Sequence, residues 1–166
     1  WTTVKIPVIL QTGIIKGPDV VCEGSQGIYS LPQWPTTDFV WMIDGDPNHP
    51  MLIKSQQRNE IIVDGQTPGS YTLSVDYTNT LIAGGGCQGH ATFDFIVEAR
   101  PEIITDPELL ICQGESKTFT TQLGFPVRWN IRHNNILVYD VVTTSFNYTF
   151  NEGGSYVVTA DNNDCI

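Results

Sequence analysis

A chain of 166 residues with a formal net charge of −10 and a pI near 4.4 has no basic stripe with which to hold nucleic acid. The same charge opposes docking on anionic membrane surfaces, and no run approaches the ~20 apolar residues needed to cross a bilayer. A modest apolar share of 40%, with 15 glycines and 10 prolines, suits many short strands joined by turns.

The N-terminal stretch WTTVKIPVILQTGIIKGPDVVCEGSQ returns 90 residues later as ATFDFIVEARPEIITDPELLICQGES. Without a gap this aligns Thr2 with Thr92, Ile6 with Ile96, Ile14 with Ile104, Cys22 with Cys112 and Gly24 with Gly114. Tyr29 then answers to Phe119, Trp41 to Trp129, and Gly69-Ser70-Tyr71 to Gly154-Ser155-Tyr156, and Cys87 and Cys165 close the pattern. Self-similarity at fixed spacing marks a repeat array. The expected division is residues 11–99 as one unit and 100–166 as a second. Residues 1–10, whose twin at 92–97 ends the first unit, are expected to be the last strand of a preceding unit. The second unit is expected to lack that strand.

Along each unit the strand signals recur. Gly17-Pro18-Asp19 and Asp106-Pro107-Glu108 interrupt the first strand, as on a proline-bent edge. Segments 27–31 and 117–121 read as the second strand, and 39–43 and 127–131 as the third, each carrying a tryptophan. Asp44-Gly45-Asp46-Pro47-Asn48 is a turn. Strands are expected at 60–63 and 146–150, then at 71–75 and 156–160 after the Gly-Ser-Tyr corner. No 3.6-residue apolar period persists, so the chain is all-β. Short strands with a central tryptophan and a corner tyrosine describe an immunoglobulin-like β-sandwich, here in tandem, with Trp41, Trp129, Tyr71 and Tyr156 in the cores.

Paired cysteines in small β-modules point to an oxidising, non-cytoplasmic location. Two connectivities fit. Cys22 with Cys87 and Cys112 with Cys165 would staple each unit, at roughly 3–4 kcal/mol apiece on the chain-entropy model. The turns involved, however, lie at opposite poles of a sandwich, ~20 Å apart for strands of ordinary length, whereas a disulfide needs Cα atoms within ~7 Å. Cys22 with Cys165, across the junction of the units, avoids that conflict and leaves Cys87 and Cys112 for partners in neighbouring units.

Trp34, in a loop before Pro35, is the one candidate for ligand contact, as a stacking platform for a sugar; packing over the pole of the sandwich is the plainer role. Asp44, Asp46 and Asn48 could offer oxygens to calcium, but they also make a good turn. His49, His90 and His133 share no metal-binding spacing, and Asn147-Tyr148-Thr149 has the form of a glycosylation sequon. There is no nucleophile elbow, no zinc-protease helix and no phosphate loop, so neither a catalytic residue nor a cofactor is assigned, and the chain is read as a non-enzyme.

The order Cys22-x-Gly24, Tyr29, Trp41, Ile61-x-Val63, Gly69-x-Tyr71, Cys87-x-Gly89 resembles the PKD-like and Ig-like repeats of large surface and secreted proteins of Bacteroidota. Among these are gliding-motility adhesins exported by type IX secretion. Trp41-Met42-Ile43-Asp44-Gly45-Asp46 is similar to the Trp-x-Phe-Gly-Asp-Gly segment of PKD domains. The resemblance implies a stalk-like, adhesive segment at a bacterial cell surface. Its partners would be neighbouring repeats of the same chain, surface glycans or other surface proteins. The rival it leaves open is a spacer or carbohydrate-binding module of a secreted polysaccharide-degrading enzyme.

Overall fold

The computed structural model describes residues 1–3, 8–9, 11–80, 87–104, 110–162 and 165. Every regular element among them is a strand, and the chain divides into two compact units, Trp1–Glu98 and Ala99–Ile166.

In the first unit, one sheet has the order β1 (Val20–Cys22), β7 (Gln88–Glu98), β6 (Gly69–Asn79), β3 (Thr37–Ile43). The other has β2 (Gln26–Ser30), β5 (Glu60–Asp64), β4 (Leu52–Lys54). All pairings are antiparallel except β1 with β7. The proline signal before β1 has a physical outcome. Lys16 exchanges hydrogen bonds with Ser30 of β2, the chain bends at Gly17-Pro18, and Val20–Cys22 then joins β7 in the opposite sheet. Glycine is required at the bend, because a Cβ on Gly17 would lie 2.1 Å from the Tyr29 ring. Alternation along β3, β6 and β7 turns Trp41, Ile43, Leu73, Val75, Phe95 and Val97 inward against Tyr29, Ile61 and Val63 of the second sheet. That is the two-layer core of an immunoglobulin-like sandwich.

The second unit repeats the plan with β10 (Ile136–Thr143), β9 (Val127–His133), β12 (Tyr156–Asp161) in one sheet and β11 (Ser145–Thr149), β8 (Ser116–Thr120) in the other. Phe119, Val127, Trp129, Ile131, Phe146, Phe150 and Ala160 form its core. Register confirms the equivalences. Tyr29 faces Ile61 as Phe119 faces Phe146, and Trp41 faces Val75 as Trp129 faces Ala160.

Tyr71 donates to the Thr67 carbonyl at 2.9 Å and Tyr156 to the Glu152 carbonyl at 3.1 Å, the same four-residue tyrosine corner in each unit. Both rings are half-buried at the margin of their cores rather than within them. Asp44 and Gly45 (φ 50° and 81°) and Asn134 and Asn135 (φ 50° and 68°) make the turns after the third strands. Two consecutive left-handed residues are the mark of a type I′ hairpin, to which Asp-Gly and Asn residues are suited.

Of the strand expected in residues 1–10, positions 4–7 and 10 lie outside the described residues, as do 106–108 of the second proline interruption. The described Trp1–Thr3, Val8 and Ile9 are not in a strand, and Ile9 packs against the first core. Two strands have no counterpart in the sequence reading, β4 and β10. They are also where the two units part company.

Candidate functional site

The third strand of each unit, β3 or β9, is paired on one side with the strand that follows the tyrosine corner. In the second unit its other side is covered by β10, with Val141 opposite Trp129 and Tyr139 opposite Ile131. Tyr139 packs on Phe146 at 5.3 Å and on Tyr148 at 5.5 Å between ring centroids. In the first unit the corresponding segment, β4, pairs with β5 in the opposite sheet instead. The other side of β3 is therefore without a strand among the described residues.

Between the open edges of β3 and β4 runs a groove of about 610 Å³. Trp41, Leu52 and Ile61 line its apolar part, with Lys54, Arg58 and Glu60 among its polar lining. Arg58 is paired with Asp38 at 2.8 Å, both well exposed. Glu60 accepts a hydrogen bond from the Ser55 hydroxyl at 2.7 Å. Trp41 is only 7% exposed and its indole N–H reaches the Arg58 carbonyl at 3.4 Å. Phe39 also lines the groove, half-buried and with its ring stacked on Trp34.

The backbone along this edge is also open. Asp44 donates to Thr72 on β6, whereas Ile43 exchanges its two hydrogen bonds with Asp46 on the side away from β6. By strand alternation, Phe39 and Trp41 likewise direct N–H and C=O out of the sheet. Since β3 pairs with β6 alone among the described strands, those groups meet no ladder.

The residues singled out from sequence fall in several places. Trp34 is half-buried, stacked on Phe39 at 6.2 Å with 13° between planes and tilted on Tyr77 at 5.0 Å; this is the packing arrangement. Asp46 accepts from the Asn48 amide at 2.8 Å and Asp44 from the Thr72 amide at 2.9 Å, so both carboxylates serve the hairpin. Among the described residues no three His, Cys, Asp or Glu side chains gather where a cation could sit. His90 pairs with Asp76 across β6 and β7, and His133 stacks on Tyr156 at 4.3 Å.

Cys22 and Cys165 are disulfide-bonded, and Cys87 and Cys112 are exposed free thiols. This overturns the within-unit scheme, each of whose bonds requires one of the free thiols, in favour of the other pairing. Register explains why Cys87 and Cys165 are not equivalents. Cys165 stands opposite Asn162, and the residue in Asn162's place in the first unit, Tyr77, stands opposite Gly89. The cysteine match from sequence is therefore two residues out, in a loop of different length.

Burial raises the Tyr29 phenol well above its ordinary range, with Asp19 adding to the effect; its hydroxyl donates to the Pro18 carbonyl at 2.9 Å. It is a structural hydrogen bond, not a reactive group.

No family model matches the chain, and no curated protein does. Among solved structures the chain is similar to fibronectin(III)-like modules of Clostridium thermocellum CbhA, at 13% identity and TM-score 0.42 over 92% of this chain and 87% of that one. It is similar to amphioxus IgVJ-C2, at 17% and 0.38 over 87% and 93%. A third is the ICAM-5 D1-D4 ectodomain fragment, at 11% and 0.43 over 93% of this chain and 46% of that one. Strand order, register and tyrosine corners assign the immunoglobulin-like fold independently of these likenesses.

Proposed function

We propose that this chain is a structural, adhesive segment of a bacterial cell-surface protein, a run of immunoglobulin-like modules placed outside the cytoplasm. The supporting observation is that one framework is used twice: the Cys-x-Gly turn, the central tryptophan, the type I′ hairpin and the tyrosine corner recur in register. What lies between them does not recur. A disulfide belongs to an oxidising compartment, and no helix among the described residues is long and apolar enough to cross a membrane. On this reading the Cys22–Cys165 bond is the mechanical element, since it closes roughly 140 residues into a loop that pulling on the ends cannot extend.

Single-molecule stretching from the two termini tests this. Under non-reducing conditions the bonded loop stays short, and reductant releases it. Full extension at low force without reductant would defeat the mechanical role. The same protein on a glycan array separates the rival spacer or carbohydrate-binding role, for which retention must disappear in Trp34→Ala.

A further inference from the structure

Among the described residues, the first unit has no strand where the second unit has one. We propose that the groove between β3 and β4 accepts an extended segment of another polypeptide, which adds antiparallel to β3 and lays alternate apolar side chains over Trp41, Leu52 and Ile61. This does not depend on the chain being part of a stalk.

Three independent features lead there. The outward main-chain groups of Phe39 and Trp41 form half of a ladder, and edge strands of this kind are templates for strand addition. The equivalent edge, on β9, is filled by a strand of this same chain. There Val141 and Tyr139, opposite Trp129 and Ile131, pack against the core beneath; the first unit offers the same tryptophan and Ile43 at the same register positions. The groove is also open, apolar along Trp41, Leu52 and Ile61, and of a size to take side chains.

The occupant's chemistry follows from the lining. A sugar would want an exposed aromatic face, whereas Trp41 is buried and the half-buried Phe39 is stacked on Trp34. Of the two cations, Arg58 is held by Asp38, whereas Lys54 has no ion pair among the described residues. A strand carrying a carboxylate beside its apolar residues complements that lysine. A second copy of this chain is the poorer match, because its strand of this kind, β10, is already paired with β9.

The probe is a synthetic peptide with the sequence of residues 135–143, the strand that fills this place in the second unit, followed by two glutamates. It is added to the full ¹⁵N-labelled chain, and amide hydrogen exchange is followed by NMR. Exchange at Phe39 and Trp41 is expected to slow at least tenfold, with Trp129 and Ile131 unchanged. Lys54→Glu, or two lysines in place of the glutamates, should weaken binding about fivefold, as for an exposed ion pair. No slowing at millimolar peptide overturns the proposal. So does slowing that rises with protein concentration in the absence of peptide, which would place a second copy on the edge. Loss of protection at Val75 and Leu73 in Lys54→Glu would report damage to the fold, and the lysine-tailed peptide on the unaltered chain then decides.

Discussion

The two units share a core plan and differ in the fate of one segment. After the type I′ hairpin, residues 136–143 stay with β9, while Leu52–Lys54 cross to β5. Composition accounts for the choice. Ile136-Leu137-Val138-Tyr139-Asp140-Val141-Val142-Thr143 is β-branched and aromatic almost throughout and follows its hairpin directly, so it zips onto β9 with one irregularity between Leu137 and Tyr139. In the first unit Pro47 and Pro50 follow the hairpin. Proline cannot donate to a ladder, so the segment detaches from β3 and makes only a short strand on the other sheet. The lesson is that an immunoglobulin-like core tolerates either route, and the route decides whether the third strand is covered or open.

The largest effect separates the units by their cysteines. Cys22 and Cys112 occupy matching turns, in which Ser25 and Glu115 donate to the respective cysteine carbonyls, but only Cys22 is bonded. Cys22→Ser is expected to lower stability by about 3–5 kcal/mol, the upper end for a long loop, and Cys112→Ser to leave it nearly unchanged. Calorimetry without reductant measures both, and equal losses would contradict the assigned bond.

The tryptophans come next. Trp129 is wholly enclosed and donates to the Thr143 carbonyl of β10 at 2.9 Å. Trp41 borders the groove and has only the 3.4 Å contact to Arg58. Truncation to alanine should cost about 4–5 kcal/mol at Trp129 and about 3 kcal/mol at Trp41, read as denaturation midpoints of the two units. A costlier Trp41→Ala would mean that the open edge is tighter than the geometry indicates.

The corner hydroxyls should behave alike. Tyr71→Phe and Tyr156→Phe each remove one side-chain to backbone hydrogen bond at a half-buried ring, a loss of about 1 kcal/mol. A difference above roughly 1 kcal/mol between the two would break the equivalence of the corners.

Much of this was legible in the sequence for one reason: buried framework residues are constrained by register, so Tyr29 and Phe119, Trp41 and Trp129, and the corner tyrosines stand out in a self-comparison. The elements without a sequence counterpart lie where the units diverge. The alternation Leu137, Tyr139, Val141, Thr143 was a strand signal in its own right, without a twin in the first unit to call attention to it. The groove could not be read at all, because it depends on which sheet a three-residue strand joins. Cys165 was misaligned with Cys87 because loop length, and not cysteine identity, sets the register opposite Asn162.

The smallest expected effect belongs to the added strand itself. Arg128 of β9 donates twice to Asp140 of β10, at 3.0 and 2.7 Å, and these hydrogen bonds, more than the charge of Arg128 alone, hold the Asp140 carboxyl below the usual carboxylate range. A carboxyl depressed in the folded state contributes stability above its unfolded pKa, and that contribution fades as pH falls through the folded value. The group is solvent-exposed, so the effect on unfolding is slight. Its titration is nevertheless a sensitive report on whether β10 sits on β9. Arg128→Ala should raise the Asp140 midpoint toward the ordinary value in a carboxyl ¹³C NMR titration. The first unit has Val40 where β9 has Arg128, so a strand bound on β3 has no arginine at that position. An unshifted Asp140 in the unaltered protein would mean that β10 does not hold this register, and the contrast between the covered and the open edge would lose its basis.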